Sequence, residues 1–425
     1  MEERTKVAER DTSVKVARPT PKSKSKKKKW TKKRHAVVRN LLCAVLKPYS
    51  YAKYGIRVEK FKEQRDCPYL ILFNHQTPFD QFFVGMAFRG PVYYLASEDI
   101  FSNGFVSSLI RFLVEPIPIK KQTADVRAVM NCIKVSREGG TIAIAPEGNR
   151  TYSGRTEYVN PSVATLARKL GMPIALYRLE GGYGVQPRWS DSVRRGRMRG
   201  YVARVIEPEE YRTMTDAELA DAINELLYVD EAVADARFEG KKLAEYLERA
   251  VYVCPYCGLS SFESHGNFTE CKKCGRRIEY LPTKELRGVG FDFPYRFVAD
   301  WYDAQKDFVN SLDLTKMREG PVYRDTVDVS EVIVYKKKLP LCKRAELSLY
   351  GDRIELDADG NTYVFSFDGD TAITVLGRNK LNIYSGNRIY QIKGERNFNA
   401  LKYVNFCCRY KNIVKGDEND KFLGI

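Results

Sequence analysis

Apolar runs and polar turns alternate through the first half of the chain. "PYLILFN" (68–74), "PVYYLAS" (91–97), "TIAIAPEG" (141–148) and "IALYRLEGG" (174–182) are short apolar runs closed by polar or glycine-bearing turns. Such runs predict strands buried on both faces. Between them, "QFFVGMAF" (81–88), "DVRAVMNCIKVSREGG" (125–140) and "SVATLARKLGMP" (162–173) place apolar residues near helical spacing, with Gly139-Gly140, Gly171 and Pro173 as stops. The alternation predicts an α/β domain with a mostly parallel sheet covered on both faces, its ligands lying beyond the carboxyl ends of the strands. "TDAELADAINELL" (215–227) predicts a helix opened by a Thr215–Glu218 capping box, and a second helical stretch is expected over 230–250.

From residue 331 the period changes to two. "AELSLY", "RIELDA", "YVFSF", "KLNIY" and "RIYQI" alternate polar and apolar positions around turns such as "ADGN" and "SGN". A last helix, "NFNALKYVNFCC" (397–408), puts Phe398, Leu401 and Val404 on one face. The pattern predicts a separate antiparallel β domain closed by a helix. The expected organisation is a basic tail (1–35), an interfacial helix region (36–65), the α/β domain (66–235), a helix with a cysteine unit (236–290), a helical connector (291–330) and the β domain (331–415).

Charge changes the picture at the amino terminus. The chain has 425 residues and a formal net charge of +17, yet residues 1–40 hold 15 Lys/Arg against 4 Asp/Glu. The block "PKSKSKKKKWTKKRH" (21–35) cannot bury itself; it suits an anionic membrane surface or nucleic acid. It leads into an apolar stretch, Ala36 to Leu46, of about eleven residues, where roughly 18 are needed to cross a bilayer. An interfacial helix is expected, with Val37, Val38, Leu41, Leu42, Val45 and Leu46 entering the acyl boundary; the plainer alternative is a helix packed on the core. The leader does not read as a cleaved secretory signal. The expected location is the cytoplasmic face of a membrane, bound peripherally.

Two loops carry candidate chemistry. In "FNHQTPFDQFF" (73–83), His75 and Asp80 are five residues apart around Pro78. A neutral imidazole can take a proton from a hydroxyl when a carboxylate fixes its other nitrogen, and that hydroxyl could belong to a substrate. The competing reading is a polar turn with Asp80 as a helix cap. In "APEGNRTYSG" (145–154), Glu147 and Arg150 sit at a strand end with Gly148, which lets the backbone approach a ligand, and Arg150 suits a phosphate dianion.

Taken in order, N-H-x4-D at 74–80 and P-E-G-x-R at 146–150 resemble the glycerolipid acyltransferase family, whose best-known members are the 1-acylglycerol-3-phosphate acyltransferases. "PIPIKKQTAD" (116–125) loosely matches the second block, with Lys121 or Lys120 where arginine is usual; "GMPIALYRL" (171–179) matches the fourth, through Pro173; Asn149 replaces the commoner threonine of the third. The resemblance covers roughly residues 36–235. It implies acyl transfer from acyl-CoA or an acyl-carrier protein to a lysophospholipid hydroxyl, giving phosphatidic acid from 1-acylglycerol-3-phosphate. His75 would be the base and Asp80 its orienter. Glu147, Gly148 and Arg150 would hold the acceptor, with Arg150 on its phosphate and Lys121 as a second contact. Another lysolipid acceptor, or a nucleic-acid-binding protein using the tail and the cysteine unit, are the alternatives. A catalytically dead scaffold is disfavoured by the intact His75, Asp80, Glu147 and Arg150.

Ten cysteines do not make a disulfide scaffold at this length. "CPYCG" (254–258) and "CKKCG" (271–275) pair Cys254 with Cys257 and Cys271 with Cys274, each pair followed by a glycine that permits a tight knuckle. Four thiolates favour a closed, structural Zn²⁺ site and resemble a zinc ribbon. His265 lies between the pairs and is expected to be an exposed loop residue. The carboxy-terminal strands and helix resemble a pleckstrin-homology-like fold on topology alone.

Overall fold

The computed structural model describes residues 29–120, 125–157, 159 and 161–416. Most of the basic tail, and Lys121, lie outside the described residues.

Seven strands form the first sheet: β1 (Ile56–Val58), β2 (Leu70–Phe73), β3 (Val92–Ser97), β4 (Ile117–Ile119), β5 (Thr141–Ile144), β6 (Ile174–Glu180) and β7 (Met198–Ile206), in the order β1-β7-β6-β2-β5-β3-β4. β6, β2, β5, β3 and β4 are mutually parallel, as the pattern predicts. β7 runs antiparallel to β6 and takes β1 along with it, so the sheet is mixed.

The helices are α1 (Lys33–Tyr54), α2 (Asp80–Ala87), α3 (Phe105–Leu113), α4 (Val126–Arg137), α5 (Ser162–Leu170), the short α6 (Gly182–Val185) and α7 (Pro208–Arg212), and α8 (Asp216–Leu227). Successive strand residues serve opposite faces. Leu70, Leu72, Ile142 and Leu176 pack with Cys132 and Val135 of α4, Ala164 of α5 and Ile223 of α8. Ile71, Phe73, Ala143 and Tyr177 pack with Tyr54 of α1 and with Phe83 and Val84 of α2. At about 1.5–3 kcal/mol per buried large aliphatic or aromatic side chain, this two-sided burial fixes the strand ends that carry the loops. The Thr215–Glu218 capping box opens α8 as expected.

The cysteine unit is built from β8 (Val253–Cys254), β9 (Gly258–Leu259), β10 (Phe262–His265), β11 (Phe268–Cys271), β12 (Arg277–Tyr280) and β13 (Leu286–Gly288); the last four form an antiparallel meander. The helix expected over 230–250 is not formed: only Leu247–Arg249 makes a 3₁₀ turn. The chain there is held extended by tertiary bonds, with Arg195 and Glu239 exchanging both backbone bonds and Phe238 donating to the Pro282 carbonyl at 2.8 Å. In the connector, helix is confined to α9 (Val298–Ser311) and a 3₁₀ turn at Leu314–Lys316. Gln305 of α9 accepts from the Tyr252 and Val253 N–H groups at 2.7 and 3.1 Å, and Trp301 donates to the Val253 carbonyl at 2.7 Å. The first cysteine pair is therefore anchored by α9.

β14 (Tyr323–Ile333) begins eight residues before the expected boundary. It is followed by β15 (Lys337–Leu349), β16 (Arg353–Ala358), β17 (Asn361–Ser366), β18 (Ala372–Leu376), β19 (Lys380–Ser385) and β20 (Arg388–Gly394). They form an antiparallel half-barrel in the order β17-β16-β15-β14-β20-β19-β18, against which α10 (Leu401–Lys415) packs. One continuous core joins the half-barrel, the cysteine unit and α9, and it includes Tyr152 and Trp189 of the α/β region. The half-barrel also reaches the connector after β3, where Asp99 meets Lys338 at 2.6 Å and Gln391 at 2.8 Å.

Candidate active site

β2 ends at Phe73, and Asn74 continues the ladder with its side chain. Its Nδ2 donates to the Leu179 carbonyl at 2.8 Å and its Oδ1 accepts the Leu179 N–H at 2.7 Å. The chain then turns around one carboxylate. Asp80 is fully buried; its Oδ2 accepts from the Gln76 and Thr77 N–H groups at 2.7 and 2.9 Å, and its Oδ1 from the Thr77 hydroxyl at 2.5 Å. His75 Nδ1 lies 2.8 Å from the same Oδ2, and its side chain keeps 23% of its surface open. The polar turn and the histidine–carboxylate pair are thus the same structure. A carboxylate with this many fixed donors is held in place, and it favours the tautomer that carries the imidazole proton on Nδ1.

The second loop clamps the first. Glu147 follows the end of β5, before Gly148 at φ +70°. Its buried carboxylate accepts the His75 N–H at 2.7 Å and the Glu157 N–H at 2.9 Å. In return, the Thr151 N–H donates to the His75 carbonyl at 3.1 Å. Both backbone groups of His75 are therefore bound to the loop 72 residues away. Burial holds the Glu147 carboxyl well above the usual range, opposed by these N–H donors.

Arg150 is half-buried, and its Nη1 is buried with no hydrogen-bond partner among the described residues. Burial, then the neighbouring Arg188 and Arg378 charges, push its pKa down to about 9. Lys120 is exposed beyond β4, the far edge strand, and its N–H binds Asp125 at 2.8 Å. Pro173 precedes β6, accepting the Leu70 N–H at 3.0 Å; it lies at the opposite end of the strands from His75.

Several supporting residues carry no signal in the sequence. Gln76 accepts the Gly182 N–H at 2.8 Å and donates to Glu231 at 3.3 Å. Glu231 is paired with Lys284 at 3.4 Å, both nearly buried. A residue of the cysteine unit thereby steadies the residue after His75.

The four Sγ atoms of Cys254, Cys257, Cys271 and Cys274 lie within 4.8 Å of one another, with Cys254 and Cys274 at 3.9 Å. A tetrahedral zinc with bonds near 2.3 Å needs S–S distances of about 3.8 Å. The donor set and spacing fit that ion. Gly258 and Gly275 take φ of +71° and +70°, the turn that each knuckle requires. His265 stands apart, exposed and 3.0 Å from Glu263.

Residues 55–176 match the family model described as Acyltransferase. Among solved structures, the chain is similar to the crystal structure of the 1-acyl-sn-glycerophosphate (LPA) acyltransferase PlsC from Thermotoga maritima. That likeness covers 44% of this chain and 78% of the other at 19% identity, with a TM-score of 0.38. No curated protein matches the chain.

Proposed function

We propose that the protein moves a fatty acyl group from an acyl thioester, carried by coenzyme A or an acyl-carrier protein, to the hydroxyl of a lysophospholipid, with 1-acylglycerol-3-phosphate as the acceptor. The observation that carries this reading is the 2.8 Å contact between His75 Nδ1 and a buried Asp80 carboxylate. With Nδ1 donating, Nε2 is the basic nitrogen. It takes the acceptor's hydroxyl proton as that oxygen bonds to the thioester carbonyl carbon. Collapse of the tetrahedral adduct breaks the C–S bond, and the imidazolium returns the proton to the leaving thiolate. The acceptor supplies the nucleophile, so no acyl-enzyme forms. Arg150 binds the acceptor phosphate. Glu147 is a positioning residue, because each of its oxygens accepts a backbone N–H.

Membrane association belongs to the same proposal. No described helix is long and apolar enough to cross a membrane. α1 turns Cys43, Leu46 and Tyr54 inward and leaves Val37, Leu41 and Val45, four residues apart, exposed. α3 exposes Phe105, Val106, Leu109 and Phe112. Arg34 joins the two faces, stacked 4.2 Å from the Phe112 ring centroid. An apolar surface of this kind, flanked by Lys33, Lys47 and Lys53, suits an anionic lipid surface. The four cysteines hold a structural Zn²⁺, and the half-barrel is a pleckstrin-homology-like accessory unit.

The test is transfer itself. Purified protein is incubated with radiolabelled acyl-CoA or acyl-carrier protein and a panel of lysophospholipids. Transfer to 1-acylglycerol-3-phosphate is expected, falling by about 10²–10⁴-fold in His75→Ala. A folded His75→Ala variant with normal turnover would refute the role of His75.

A further inference from the structure

The turn between β18 and β19 reaches across to the loop that follows α6. Arg188 of that loop donates through Nε to the Gly377 carbonyl at 3.4 Å, and through Nη1 to the Arg150 carbonyl at 2.7 Å. Beside Gly377, Arg378 meets Asp191 at 3.1 Å. Asp191 is already engaged by the buried Arg249 at 2.7 Å. Arg188 thus ties the backbone of Arg150 to the backbone beside Arg378, and the nearby carboxylates are already engaged, Asp191 by Arg249 and Arg378 and Asp80 by its own loop. Arg150 Nη1 and Arg378 Nε are both buried without a partner among the described residues. Arg150 directly precedes Thr151, whose N–H donates to the His75 carbonyl at 3.1 Å, which sets this cluster beside the His75 loop.

Buried guanidinium nitrogens without a partner, beside further positive charge, are costly unless an anion completes them. The depressed pKa of Arg150 has the same origin. A phosphate monoester offers three acceptor oxygens and nearly two negative charges at neutral pH, which matches forked donors arriving from several directions.

We propose that the half-barrel completes the acceptor site: Arg378, together with Arg188 and Arg150, binds the phosphate monoester of the acceptor, so the anion pocket is shared between the two lobes. This rests on the acyltransferase reading above. The alternative is that Arg378 only ties the lobes together through Asp191.

Arg378→Gln and Arg378→Lys are made in the full chain, with unfolding monitored throughout. Arg378→Gln is expected to raise the KM for 1-acylglycerol-3-phosphate by about tenfold or more, as befits loss of a charge-assisted contact. The donor KM and the transfer to an uncharged monoacylglycerol should stay unchanged, and Arg378→Lys should recover part of the loss. A second measurement does not need turnover: equilibrium dialysis of inorganic phosphate and of radiolabelled 1-acylglycerol-3-phosphate against the His75→Ala chain, with and without Arg378→Gln. Both ligands should bind less tightly without Arg378, and the lysolipid should bind more tightly than phosphate alone. Unchanged dialysis and acceptor KM, with only a lower melting temperature, would make Arg378 an interlobe tie and overturn the proposal. A rise confined to the donor KM would overturn it too. If no lysolipid is acylated by the unmodified chain, the enzymatic reading falls while the dialysis still decides the anion site.

Discussion

The Glu147 carboxylate holds the His75 N–H at 2.7 Å, joining two loops 72 residues apart in the chain. A residue with that role is felt in stability and turnover together. Glu147→Ala strands two backbone N–H groups, so denaturant unfolding should show a loss of about 2–4 kcal/mol. Turnover should fall at least tenfold with little change in acceptor KM. A variant of native stability with a raised acceptor KM would instead make Glu147 a substrate contact.

Glu248 gives a signed pH dependence. Burial raises its carboxyl to about 7, and Oε2 lacks a partner among the described residues. A carboxyl with a raised folded pKa favours the native state fully below about 4.5, and that contribution disappears as pH climbs through about 7. Glu248→Gln removes the buried charge. Thermal unfolding should show the variant about 1–3 kcal/mol more stable at pH 8 and equal at pH 4. Equal stabilities at both values would discount the buried charge.

Elemental analysis of protein purified without chelator should find one zinc per chain. Cys271→Ser, or prolonged chelation, should cost several kcal/mol and loosen α9, because Trp301 and Gln305 hold the strand that carries Cys254. A metal-free chain with an unchanged melt would remove the ion from the fold.

Phe105 and Phe112 are exposed to 80% and 56%. Changing both to Asp should leave the melting temperature within a degree or two, yet lower co-sedimentation with anionic vesicles about tenfold or more. Deleting residues 1–35 should weaken the same binding, most clearly at low salt. Full retention of vesicle binding by both variants would leave the apolar face without its lipid partner.

Local patterns carried much of the architecture. β2, β3, β5 and β6 were legible because buried parallel strands read as apolar runs, and α2, α4 and α5 through their helical spacing, whereas α3 was not expected. β1 and β4 have three residues each, too few for a period. β7 exposes Arg199, Ala203 and Arg204, so it lacks the signature of its buried neighbours. The 230–250 segment has helical composition, but Phe238 is buried against Gly184 and Gly196, and tertiary contacts override propensity. The site divides likewise. His75 and Asp80 are close in sequence and could be paired from it. Glu147 could be placed at the site but not bonded to a backbone. Arg188 and Arg378 are two among 71 Lys and Arg residues, and only the docking of one lobe on the other singles them out.

The sheet order has a last consequence. β1 pairs only with β7 among the described strands, and Asn74 is secured by Leu179. A chain cut at residue 176, where the family match ends, would stop inside β6 and lose both partners. The matched stretch is therefore shorter than the sheet that carries the histidine loop. A fragment cut at residue 176 is expected to emerge insoluble, with its histidine loop unmoored.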